Sequence, residues 1–229
     1  MYFFGDIPRA YCLREVTAAI NASPSLANLS IGSYILHGVT GITPLQFFLQ
    51  SRPELVQLEL EHVPLPSAGI REIISHKLQQ LSISTPLRDI NFEFDWRRLW
   101  SALQETRIAL SILKVSGMAN AMDKMLAYLL SYAGLQRLEI TNMDSREKEK
   151  ENGASLIFWS KIIPHHRDSL TMLFIQCSLE GGWCYGPQAD AALRQCLFLR
   201  ELILPGTEYR KIELQNLRTG VRPTDNRVS

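Results

Sequence analysis

Residues 135–140 read LQRLEI, and residues 110–115, twenty-five positions earlier, read LSILKV. Both fit Leu-x-x-Leu-x-aliphatic. Five further stretches obey the same rule: LANLSI (26–31), LVQLEL (55–60), LQQLSI (78–83), LTMLFI (170–175) and LRELIL (199–204). The start-to-start spacings are 29, 23, 32, 25, 35 and 29 residues. A single copy carries no weight, because leucine-rich helices produce it freely. Seven copies at a bounded period indicate an internal repeat. In each copy the second and third aliphatics are two residues apart, so on a strand they point to one side.

Segments of helical period fill the intervals. TPLQFFLQS (43–51) opens with Thr43 as a cap, Pro44 at the first helical position and Gln46 completing a capping box. SAGIREIIS (67–75) aligns Ile70, Ile73 and Ile74, and DWRRLWSALQET (95–106) aligns Trp96, Leu99, Trp100 and Leu103 behind a capping Asp95. AMDKMLAYLL (121–130) aligns Met122, Met125, Leu126, Leu129 and Leu130, and SLIFWSKII (155–163) aligns Phe158, Trp159, Ile162 and Ile163. PQADAALRQC (187–196) starts on Pro187 and places Cys196 on a helix face. AYCLREVTAAIN (10–21) aligns Leu13, Val16 and Ile20 as the helix ahead of the first strand. Strand then helix, at a mean period near 29, falls in the range of leucine-rich repeats. The expected fold is therefore an α/β leucine-rich-repeat solenoid of about seven βα repeats. Its parallel sheet lines the concave side and its helices the convex side. The expected organisation is a truncated N-terminal repeat at 1–22, the array at 23–205 and a C-terminal tail at 206–229. No repeat buries its apolar face alone, so the array is stable only as a stack.

Two places resist the scheme. LRDINF (87–92) also fits the motif but begins nine residues after LQQLSI, too close for both to be repeat strands; the spacing leaves the choice open. The asparagine that many such repeats carry three residues after the last aliphatic is missing, its places taken by Tyr34, Val63, Met118, Met143 and Ser178. The charged run DSREKEKENG (144–153) reads as a solvated loop that lengthens the 35-residue interval.

The chain has 229 residues, 33 of them leucine, and 24 Lys+Arg balance 23 Asp+Glu to a net charge of +1. That balance argues against nucleic acid or an anionic membrane as the main partner. No apolar run approaches a membrane span. The opening MYFFGDIPRAYC lacks a basic n-region and is broken by Asp6 and Pro8, unlike a signal peptide. Four cysteines are too few for a disulfide framework. The expectation is an intracellular protein, cytoplasmic or nuclear.

Chemistry is sparse. His165-His166 with Cys177 and Cys184 match no standard zinc spacing, and no third group orients a Cys/His nucleophile. Gly181-Gly182-Trp183 lacks the Lys-Ser/Thr of a phosphate loop; the glycines suit a tight turn and Trp183 a cover for the neighbouring helix. No catalytic residue, metal site or cofactor is expected. An enzyme with an unrecognised Cys/His or zinc site is the alternative from another class.

What the pattern does offer is a face. Residues between and beside the inward aliphatics project from the concave sheet, and among them Glu59, Glu61, Lys114, Arg137, Glu139, Met172, Phe174 and Ile203 are the candidate partner-binding residues. Met172, Phe174 and Ile203 are apolar where solvent is expected. Two readings stay open: a protein partner binds this patch, or the segment after Pro205, with Ile212, Leu214 and Leu217, folds over it.

Residues 155–205, with the run FWSKIIPHH, the following SLTML, the Gly182-Trp183-Cys184 turn and the return CLFLREL, resemble the C-terminal half of fungal F-box/leucine-rich-repeat proteins, the kind abundant in mushrooms. LRDINFEFDWRRLWSAL (87–103) resembles another block of such proteins. The resemblance implies a non-enzymatic recognition module in which repeats hold a substrate protein while an F-box recruits a ubiquitin-ligase adaptor. It also implies an F-box ahead of the repeats, where this sequence places the helix at 10–21 instead. The alternative within the same class is a stand-alone repeat scaffold, or truncated family copy, unconnected to ubiquitination.

Overall fold

The computed structural model describes residues 26–32, 54–61, 74–85, 95–118, 121–143, 148–177 and 182–205. Each motif copy supplies a strand: β1 (Asn28–Gly32), β2 (Gln57–Glu61), β3 (Gln80–Ser84), β4 (Ile112–Ser116), β5 (Arg137–Met143), β6 (Met172–Cys177) and β7 (Glu201–Ile203). They pair in chain order into one seven-stranded parallel sheet. The fold is α/β. LQQLSI is thus the copy that supplies β3, and LRDINF lies outside the described residues.

The register lines up equivalent motif positions. Leu29, Leu58, Leu81, Leu113, Leu138, Leu173 and Leu202 stand in one row across the sheet, all buried. Leu60, Ile83, Val115, Ile140 and Ile175 form the next buried row. The leading leucines from Leu55 to Leu199 are buried just ahead of the strands. All-parallel sheets are commonly covered on both faces; here burial alternates along β2, β3 and β4, so one face is core and the other is not.

A backbone device joins the repeats. The Ala27 carbonyl accepts the N–H groups of both Val56 and Gln57, at 2.8 and 2.9 Å. The carbonyls of Val56, Gln79, Ser111, Gln136 and Thr171 repeat this double acceptance toward the next strand. Each carbonyl uses both lone pairs, so every strand entry is satisfied by its neighbour, whatever the side chains.

Helices cover the core face. Helix α1 (Trp96–Glu105) starts where the Asp95 carboxylate accepts the Arg98 N–H at 3.0 Å, and it buries Trp96, Leu99, Trp100 and Leu103 as their spacing predicts. Helix α2 (Met122–Leu130) buries Met125, Leu126, Tyr128 and Leu129 and leaves Leu130 exposed, against expectation. The inward line runs Met125, Tyr128, Leu129 and on to Tyr132, which puts Leu130 off-face.

Helix α3 (Lys148–Ile157) replaces part of the expected charged loop. Lys, Glu and Ala are strong helix formers. It continues through a π-helical turn, Phe158–Ile162, into a last α-turn, Ile163–His165. Pro164 has no N–H to close an α-turn, and just before it the Ile163 N–H reaches back five residues to the Phe158 carbonyl. Phe158, Trp159, Ile162 and Ile163 are all buried. Helix α4 (Pro187–Leu193) is shorter than its apolar pattern, so Cys196 lies in the turn beyond it and not on a helix face.

The segments 10–21 and 43–51 lie outside the described residues, as do 1–22 and 206–229; of 67–75 only Ile74 and Ser75 are described, and they are not helical. No helix among the described residues is long and apolar enough to cross a membrane.

After β4 the chain turns through Gly117 at φ 75°. A β-carbon there would sit 2.3 Å from the Thr85 carbonyl oxygen. The close approach lets the buried Thr85 hydroxyl donate to the Gly117 carbonyl at 2.8 Å. Gly117→Ala is expected to cost about 1–3 kcal/mol through left-handed backbone strain and overpacking, read as a lower urea midpoint at unchanged slope.

Candidate functional site

Opposite the helices, the outward residues of the strands form rows. One row runs Ser30, Glu59, Ser82, Lys114, Glu139, Phe174 and Ile203. Five of the eight sequence-predicted site residues therefore share a line across the sheet. Arg137 and Met172 are adjacent in the row on one side, and Glu61 lies in the row on the other. Glu61 is exposed, and the other seven are half-buried.

The charges on this face are arranged unevenly. Glu139 is held by two cations: Arg137 Nε donates to its carboxylate at 2.6 Å, a guanidinium NH₂ group of Arg137 contacts the same oxygen, and Lys114 Nζ lies 3.5 Å from the other. The Glu139 side chain is 15% exposed against 38% and 40% for its partners, so the cations cover it. Glu59 and Glu61, both on β2 and three strands from Glu139, have no cationic partner among the described residues. At the other end Phe174 stands directly between Glu139 and Ile203, with Met172 in the adjoining row. Among the described residues the face thus grades from carboxylates without a cation, through a neutralised cluster, to apolar side chains.

His165 and His166 are placed by packing. The Leu135 N–H donates to His166 Nδ1 at 3.4 Å, and His166 Nε2 lies 3.0 Å from the Leu129 carbonyl. Since Nδ1 accepts, Nε2 carries the proton and donates. The ring is neutral, 2% exposed, and burial pulls its pKa down to about 4. His165 Nε2 meets the Tyr132 carbonyl at 2.8 Å. His166 thus bridges the backbone from Leu129 in α2 to Leu135 ahead of β5, and His165 contacts the connection between them. Among the described residues no three His, Cys, Asp or Glu side chains are grouped to hold a metal ion. Cys177 is the last residue of β6, and Cys196 is buried, which pushes its thiol up to about 11.

Trp183 packs as a cover. It is buried against Phe158 with ring centroids 5.1 Å apart, and Trp159 Nε1 donates to the Gly182 carbonyl at 2.8 Å. The turn at 182–186 is thereby fastened to the wide turn of α3.

Sequence reasoning missed a continuous aromatic ladder. Trp96 stacks on Trp100, Trp100 on Tyr128, and Tyr128 and Tyr132 lead on to His166, with centroids 5.0–5.9 Å apart. The Tyr128 hydroxyl donates to the Ile108 carbonyl at 3.0 Å, and burial raises its pKa far out of reach. The available signal was spacing: Met125, Tyr128, Leu129 and Tyr132 follow i, i+3, i+4, i+7.

No family model, curated protein or solved structure matches the chain.

Proposed function

We propose that the chain is a non-enzymatic protein-recognition module: a leucine-rich-repeat solenoid whose concave sheet holds a protein partner inside the cell. The observation that carries the reading is the row Glu139, Phe174, Ile203. It sets large apolar side chains half-exposed on the sheet face opposite the helices. Solvent-facing strand positions ordinarily favour polar residues, and apolar anchors within a polar rim are the usual composition of a binding hot spot. The likeness of residues 155–205 to fungal F-box/leucine-rich-repeat proteins supports taking the partner as a substrate of a ubiquitin ligase, delivered through an adaptor.

Phe174→Asp tests the reading. Affinity capture with the full chain is compared with capture by the variant, and both are melted. Loss of a specific captured protein by tenfold or more, with the melting temperature nearly unchanged, is the expected result. A lowered melting temperature with capture retained would mean that Phe174 packs inside the molecule and binds nothing. Ligase adaptor and cullin subunits arriving with both chains would place the module in ubiquitination; their absence from both would leave a stand-alone scaffold.

A further inference from the structure

We infer that the partner presents a basic-then-apolar segment that crosses the strands of the open face, its Lys/Arg pair on Glu59 and Glu61 and its apolar anchor on Phe174 and Ile203. The inference rests on the recognition role proposed above and adds the chemistry of the partner.

Charge complementarity selects the occupant. Lys114 and Arg137 are already taken up by Glu139, whereas Glu59 and Glu61 face outward with no cation among the described residues. With Glu201, exposed beside Met172, the described strand residues of the face carry four carboxylates (Glu59, Glu61, Glu139, Glu201) against two cations (Lys114, Arg137), a net −2 although the whole chain is near neutral. An acidic or neutral segment gains nothing from that arrangement, and a basic one finds two carboxylates that no described cation occupies.

Geometry sets the direction and length. Glu59 is on β2 and Phe174 on β6, in the same row, four strand steps apart. At about 4.8 Å per step the span is about 19 Å. An extended segment rises about 3.3 Å per residue, so the basic pair and the apolar anchor are separated by about six residues, in either chain direction. A segment lying along one strand would meet only one end of this gradient, because the carboxylates and the apolar groups lie on different strands.

The test is panning of a random dodecapeptide phage library against the full chain, against a Glu59→Lys/Glu61→Lys double variant and against Phe174→Asp, each first checked for an unchanged melt. The native chain is expected to enrich peptides with a Lys/Arg pair about six residues from Phe, Leu, Ile or Met. Synthetic copies should bind the double variant at least tenfold more weakly in low salt, and the double variant should enrich acidic pairs at the same separation. Peptides without basic enrichment, or held equally by the double variant, overturn the inference. If such peptides are nonetheless lost by Phe174→Asp, binding by this face stands and only the partner chemistry fails. If they are retained by both variants, the recognition role of the face fails too. No enrichment at all, the outcome expected were residues 206–229 to fill the face, also overturns it.

Discussion

Leu138→Asp is expected to abolish the cooperative melting of the chain. Leu138 is 1% exposed in the middle of β5, with Leu113 and Leu173 beside it in the central buried row. Truncating a buried leucine costs about 2–5 kcal/mol. Placing a carboxylate there adds the penalty of an unpaired buried charge, several kcal/mol more whether the group stays ionised or is forced to take up a proton. The sum is comparable to the entire stability of a typical domain, roughly 5–15 kcal/mol. Because each strand entry is hydrogen-bonded to the repeat before it, displacing β5 also releases β6. Gln176→Asp, at an exposed position of β6 on the opposite face, is expected to shift stability by no more than about 0.5 kcal/mol. Circular dichroism during urea titration distinguishes the two. A native-like transition for Leu138→Asp would refute the core assignment.

The second large effect is acid destabilisation through His166. Folding holds its pKa at about 4, below the ordinary 6.5, because burial penalises the charged ring. Its accepting Nδ1 would also lose the Leu135 N–H on protonation. Above about pH 6.5 the imidazole is neutral in both folded and unfolded chains, and the contribution is fully present. As pH falls from 6.5 to 4 the unfolded chain takes up a proton that the folded chain refuses. The fold therefore loses about 3 kcal/mol across that window, with no further loss from this group below it. Of the neighbouring charges only His165 acts in the same sense. His166→Gln offers an amide donor to the Leu129 carbonyl without titrating. Unfolding free energies at pH 7, 5.5 and 4 should converge for wild type and variant as the pH drops. A constant difference between the two would show that His166 does not titrate in this window.

The strands were legible because their information is local. A period of two places Leu58 and Leu60 on one side and Glu59 on the other without reference to any other repeat. Helix α1 was legible for the same reason, its cap and four inward side chains lying within nine residues. Open choices and errors arose where a local signal had two solutions. LQQLSI and LRDINF are equivalent as hexapeptides, and only pairing with β2 and β4 selects the first. Leu130 and Tyr128 are both apolar enough to face inward, and the stack between Trp100 and Tyr132 selects the tyrosine. The run at 148–153 is polar enough for a loop, yet its residues favour helix, and α3 extends through it.

The candidate face divides in the same way. By itself the sequence determined which side chains point away from the core, because alternation along a strand is a property of consecutive residues. It also determined that Met172, Phe174 and Ile203 are among them. Only the tertiary structure decided that Lys114, Arg137 and Glu139 neutralise one another while Glu59 and Glu61 find no cation among the described residues, for that depends on the register between strands separated by twenty or more residues. It alone also decided the protonation of His166, whose ring meets carbonyl and amide groups more than thirty residues away. Local pattern is written in neighbouring side chains. Register, ion pairing and tautomer are set where distant backbones meet, and backbone groups are the same in every residue.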